Sequence, residues 1–154
     1  MKYVQESVVF NEVPNEISLC YSISGCKKYC KGCHSKELWE ENDNHFYLTE
    51  DYFISKLNSY KGMITAICFL GGDWYKNELI HFLKISNTFN LKTCLYTYEN
   101  DIKDISIDLI KELDFIKIGE FKQELGGLNN PLTNQKFINL KTGENLNHLF
   151  KKNN

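Results

Sequence analysis

No part of this chain approaches the run of about 18 apolar residues that a membrane-spanning helix requires, so nothing in it is expected to cross a bilayer. The first residues, Met1-Lys2-Tyr3-Val4-Gln5-Glu6-Ser7, lack the apolar stretch of a secretory signal, which points to a reducing cytoplasm. Neither sign of charge is in excess. The 18 basic and 20 acidic residues leave a net charge of −2, too little to draw the chain to nucleic acid or an anionic membrane. The aromatic residues lack the basic interleaving of a nucleic-acid stacking platform. With only two prolines and nine glycines there is no sign of a disordered linker, and a single domain over 1–154 is expected. His45, His81 and His148 show no ligand spacing, and no second C-x2-C pair exists to complete a zinc ribbon or finger.

What the chain does have is a concentration of cysteine in one place. Cys26, Cys30 and Cys33 fall within eight residues, spaced C-x3-C-x2-C, in the loop Gly25-Cys26-Lys27-Lys28-Tyr29-Cys30-Lys31-Gly32-Cys33-His34. In a reducing compartment such a cluster reads as metal-binding or catalytic rather than as disulfides. Three thiolates this close can hold three irons of a cubic iron–sulfur cluster, leaving the fourth iron for a small molecule. Cys20, Cys68 and Cys94 each lie in an apolar run and read as core packing.

The rest of the pattern alternates strand and helix. Residues 3–10 give a faint strand signal, and 15–24 alternate strictly at Ile17, Leu19, Tyr21 and Ile23, a strand that feeds the cysteine loop. A helical turn is expected over 34–40, with Leu38 and Trp39 covering the loop. Thr49 caps a helix that stops at Lys61-Gly62, and 63–70 form a strand buried on both faces. Helices follow over 77–89 and 101–113, strands over 91–98, 115–118 and 137–140, and a short helix over 145–150. The tail 151–154 is expected to fray. Strand–helix alternation implies parallel strands with right-handed crossovers. Ligands gather at the carboxyl ends of such strands, which places the cysteine loop, Gly71-Gly72-Asp73, Tyr96-Thr97-Tyr98 and Gly119-Glu120 at one rim.

Other chemistries fit parts of the loop. Cys26, Cys30 and Cys33 with His34 would supply four zinc ligands, although adjacent Cys33 and His34 make joint tetrahedral ligation awkward, and a zinc-binding interaction module without catalysis follows from that reading. Cys30-Lys31-Gly32-Cys33-His34 matches the C-x-x-C-H haem-attachment pattern, which normally needs export, and C-x-x-C alone matches a redox pair. Lys27, Lys28, Lys31 and Lys36 crowd the loop, either as a solvated face or as a complement to an acidic partner.

C-x3-C-x2-C after a strand resembles the signature of radical S-adenosylmethionine enzymes. Their usual aromatic residue before the third cysteine is replaced here by Gly32, as in the activating proteins of anaerobic (class III) ribonucleoside-triphosphate reductase, which the chain resembles over about residues 10–137. Gly71-Gly72-Asp73 resembles the Gly-Gly-Glu-like segment that holds the amino group of the methionine moiety, with a carboxylate one methylene shorter. Tyr96-Thr97-Tyr98 resembles a Tyr-Thr-Gly strand end, with Tyr98 in the glycine's place, and Thr133-Asn134-Gln135-Lys136 resembles a Ser/Thr-Asn-Gln-Arg segment. The resemblance implies a small, open, incomplete parallel β/α barrel. It implies Cys26, Cys30 and Cys33 as ligands of a 4Fe–4S cluster, and Gly32, Gly71, Gly72, Asp73 and Thr97 around S-adenosylmethionine. It implies electrons from a flavodoxin or ferredoxin-type donor. The product would be a glycyl radical on the large subunit of the reductase, made by an oxidoreductase akin to the activating enzyme of formate C-acetyltransferase. Activation of another glycyl-radical enzyme, or radical modification of a peptide, is the alternative within the class.

Overall fold

In the computed structural model residues 1–150 are described, and the expected fraying of 151–154 lies outside them. The apolar runs form the strands β1 (Lys2–Val9), β2 (Ser18–Ile23), β3 (Phe46–Tyr47), β4 (Ala66–Leu70), β5 (Lys92–Tyr96), β6 (Phe115–Ile118) and β7 (Lys136–Asn139). All seven join one open sheet in the order β3-β1-β2-β4-β5-β6-β7. The four inner strands β2, β4, β5 and β6 run parallel, as strand–helix alternation requires. The flanking strands β1, β3 and β7 are antiparallel. Helix α1 (Glu50–Ser59) leads into β4, α2 (Lys76–Thr88) crosses from β4 to β5, and α3 (Ile107–Ile110) precedes β6. Thr49 caps α1 as expected, its hydroxyl accepting from the Tyr52 N–H.

Three elements depart from the pattern for local reasons. The helix expected over 101–113 is split into a 3-10 turn, Ile102–Asp104, and the single α-turn of α3. The Asp101 carboxylate caps the first turn by accepting from the Lys103 N–H at 3.1 Å, while Ile105 and Ser106 stay extended so that Ile105 and Leu109 both reach the core. The strand expected from Met63 begins only at Ala66, because the N–H groups of Met63 and Ile64 both turn back to the Tyr60 carbonyl. The two-residue strand β3 is too short to carry a periodic signal.

The two faces of the sheet are covered differently. The helical face packs Tyr21, Phe69, Leu95 and Ile116 against Phe53, Leu79 and Leu83. Each such fully buried side chain is worth about 1.5–3 kcal/mol in transfer free energy. On the other face Cys20, Cys68 and Cys94 stand in register across β2, β4 and β5, under Val13, Phe137 and Phe150. Contact with the Cys68 thiol raises the pKa of Cys20, and burial raises those of Cys68 and Cys94, so all three are inert packing thiols. The carboxyl ends of the four parallel strands share one rim, and the loops that leave it include the cysteine loop and Gly71-Gly72-Asp73.

Candidate functional site

The cysteine loop leaves β2 at a fixed point. The Leu38 carbonyl accepts from both the Gly25 N–H (2.8 Å) and the Cys26 N–H (2.9 Å), so the 3-10 turn Lys36–Leu38 pins the first cysteine. A Cys33 N–H to Cys30 carbonyl bond of 3.1 Å closes the second turn, and Cys33 Sγ accepts from the Ser35 N–H. Trp39 packs edge-to-face on Tyr29 at 5.2 Å, so the 34–40 segment covers the loop as expected. At Gly32 φ is +74°, and a Cβ there would stand 2.6 Å from Gln123 Oε1 and 3.1 Å from Gln123 Cβ. The loop after β6 thus occupies the space a side chain at 32 would need, which accounts for glycine at that position.

A cavity of about 190 Å³ opens at the rim, lined by Cys26, Cys30, Cys33, Gly71, Thr97 and Lys117, with Leu70, Trp74 and Tyr98 as apolar wall. The three cysteines therefore meet residues from the ends of β4, β5 and β6. Gly71 lies at φ +82°, and a Cβ on it would meet the Trp74 ring at 2.6 Å. The chain can pass beneath that indole only as glycine. Gly72, Asp73 and Gly32 lie just outside this lining; Asp73 borders the adjoining space beside Glu99 and Asp104.

The Asp73 carboxylate is half satisfied. Its Oδ2 accepts from the Thr97 hydroxyl at 3.1 Å, while its Oδ1 is buried without a partner among the described residues. Burial raises its carboxyl pKa, against the lowering effect of its own backbone N–H and of Thr97. A buried carboxylate oxygen left open is a site for a cationic donor. Thr97, itself buried, is fixed in turn by the Glu99 N–H.

Lys117 is the residue that the pattern of the sequence did not bring forward. It lies on β6 opposite Tyr96 and is 8% exposed. Its Nζ donates to the carbonyls of Gly119 (2.6 Å) and Thr97 (3.3 Å), and it has no carboxylate partner among the described residues. Burial pushes its pKa down to about 8, and the nearby Cys30 and Cys33 oppose that shift when they carry charge. The signal for it was present: a lysine inside Phe115–Ile118, a strand otherwise wholly apolar, is rarely buried without a purpose.

The donor set fits an iron–sulfur cluster. Cys26 is raised by burial, and its strongest opposing influence is the backbone N–H of Lys28, a donor suited to a thiolate. Three thiolates would bring negative charge to a cavity that already contains an uncompensated cation. Among the described residues no three or more His, Cys, Asp or Glu side chains are placed to hold a single metal ion. His34 is exposed and packs against Phe121 at 5.1 Å, outside the cavity lining.

The Thr133-Asn134-Gln135-Lys136 segment braces the site from behind. Gln135 Nε2 donates to the Gly119 carbonyl, Asn134 Nδ2 to the Glu120 carbonyl and Thr133 Oγ1 to the Gly126 carbonyl. The Gly119 carbonyl that anchors Lys117 is thereby held in place. No helix of the described residues is long and apolar enough to cross a membrane. No curated protein and no solved structure matches the chain significantly. A family profile does: that of the 4Fe-4S single cluster domain matches residues 17–139, from the start of β2 to the end of β7. With three cysteines gathered at the rim inside that span, the chain belongs to the 4Fe-4S single cluster domain family.

Proposed function

We propose that the chain is a radical S-adenosylmethionine activating enzyme that sets a glycyl radical on the large subunit of anaerobic ribonucleoside-triphosphate reductase. One observation carries the reading. Beside three cysteines the rim holds two unpaired charged groups of opposite sign, the open Asp73 oxygen and the buried Lys117 ammonium. An amino acid zwitterion needs that pair: a carboxylate for its ammonium and a cation for its carboxylate.

In this reading Cys26, Cys30 and Cys33 hold the cluster, and Asp73 Oδ1 accepts from the amino group of the methionine moiety. Lys117 faces its carboxylate, Thr97 orients Asp73, and Gly71 lets the backbone approach. Gly32 leaves room for the Gln123 loop at the cluster's edge. When bound and reduced by a flavodoxin or ferredoxin-type donor, the cluster held by Cys26, Cys30 and Cys33 would supply the one electron for reductive cleavage of the sulfonium bond of S-adenosylmethionine, giving methionine and, with hydrogen taken from a glycine of the partner, 5′-deoxyadenosine. The chain's own task is to hold the cofactor in one orientation and to keep water from the reacting atoms. The four parallel strands with antiparallel flanks read as an open, incomplete β/α barrel. The sheet face that carries Cys20, Cys68 and Cys94 is covered by Val13, Phe137 and Phe150, so in this reading the reacting group of a partner protein arrives at the rim.

The test is cofactor cleavage. Protein reconstituted anaerobically with iron and sulfide, then reduced, is expected to convert S-adenosylmethionine to equal amounts of methionine and 5′-deoxyadenosine, and the Cys30→Ala protein to produce neither. A protein carrying a reducible cluster that leaves the cofactor intact overturns the proposal.

A further inference from the structure

Trp39, Trp74 and Tyr98 line the cysteine cavity and also a second, larger groove of about 660 Å³. Tyr29 and Tyr75 add two more rings to that groove, and Glu40 and Glu41 are its acidic groups. Neither carboxylate is paired with a lysine or histidine among the described residues. Lys27 is the one cation in the lining. The foot of the groove is closely filled: a Cβ on Gly25 would stand 3.2 Å from Trp74 Nε1, 3.2 Å from the Tyr75 hydroxyl and 3.3 Å from Glu41 Oε1, so glycine there lets these polar atoms lie close to the backbone.

Aromatic faces with nearby carboxylates select a planar cation, because the ring quadrupole and the acid attract the same charge. Two of these rings already attract ammonium groups. Lys36 Nζ lies 5.8 Å from the Trp39 centroid and Lys28 Nζ 5.5 Å from that of Tyr98. Neither lysine belongs to the groove lining. We propose that this groove docks an arginine side chain of the partner protein, stacked on the indoles and paired with Glu40 and Glu41. Guanidinium rather than ammonium fits, since it alone stacks flat while donating in its plane. Residues 1–154 contain no arginine, so a second copy of them does not supply the occupant, and the partner protein does in this reading. The docking rests on the reading that the target is a protein. The wall shared with the cysteine cavity would then set the bound segment beside the reacting centre.

The chain's only two tryptophans both line the groove, so their fluorescence reports its occupancy. The probe is a capped peptide of alternating glycine and arginine with two arginines, titrated into the full-length protein with and without reconstituted cluster. A saturable change is expected with arginine. It should be at least tenfold weaker with citrulline in its place, and at least tenfold weaker in an Glu40→Gln/Glu41→Gln protein. Equal responses to arginine and citrulline, or binding indifferent to the two substitutions, overturn the docking. Binding here is read without cofactor cleavage, so failure of the enzymatic reading and failure of the docking give separate results.

Discussion

Lys117 carries the least ordinary electrostatics of the site. Its pKa of about 8 in the folded chain lies below the ordinary 10.5 because burial disfavours the charged form. Between those two pH values the unfolded chain binds the extra proton, so stability rises as pH rises from about 8 to 10.5. The gap corresponds to roughly 3 kcal/mol at most. In cluster-free protein, Lys117→Met is therefore expected to be more stable than the parent at pH 7, with the difference shrinking toward pH 10.5. Chemical denaturation of both proteins at several pH values checks it, and parallel pH profiles would contradict it. Asp73 gives the complementary case. Asp73→Asn keeps the shape and the reach to Thr97 but removes the charge offered to an ammonium. It should weaken S-adenosylmethionine binding about tenfold or more, in line with hydrogen bonds to charged groups, while leaving the cluster signal intact. Equilibrium binding to the reconstituted protein decides this, and unchanged affinity would return Gly71-Gly72-Asp73 to the status of a turn.

At the level of elements, the loops matter more than the strands that carry them. Gly71 is held left-handed under Trp74, so Gly71→Ala should cost about 1–3 kcal/mol from backbone strain and displace the indole. Denaturant midpoints and tryptophan emission measure both effects, and a neutral substitution would show that the indole moves freely. Much of this scale was legible in the sequence. The buried runs around Cys20, Cys68 and Cys94 and the helix over Lys76–Thr88 announce themselves by periodicity, as does the glycine stop at Gly62 after α1. The break at Ile105 and Ser106 was not legible, because Asp101 and Ser106 are compatible both with an uninterrupted helix and with two short capped turns. The brace by Gln135 and Asn134 was equally hidden, since it depends on which carbonyls the chain return brings near. Gly32 stands out in the sequence as a departure from the family pattern, but its reason, the Gln123 side chain packed against it, lies about 90 residues away and leaves no local trace.

Across the whole molecule, both faces of the sheet are packed into cores and the rim gathers the candidate site. Phe137 covers the sheet face that carries the three packing cysteines, so Phe137→Ala should cost about 3–5 kcal/mol while leaving the loop sequence around Cys26, Cys30 and Cys33 untouched. A loss near zero in thermal or denaturant unfolding would mean that the plug is not part of the cooperative core. The chain belongs to the 4Fe-4S single cluster domain family and gathers three cysteines at the rim, and the proposed function adds that one iron of the cluster is left for a ligand. Electron paramagnetic resonance of the anaerobically reconstituted, reduced protein, recorded with and without S-adenosylmethionine, tests that claim most directly. The account predicts a reduced 4Fe–4S signal that changes shape when the cofactor is added and is absent from Cys30→Ala. A signal indifferent to S-adenosylmethionine, or one that survives loss of Cys30, would contradict it.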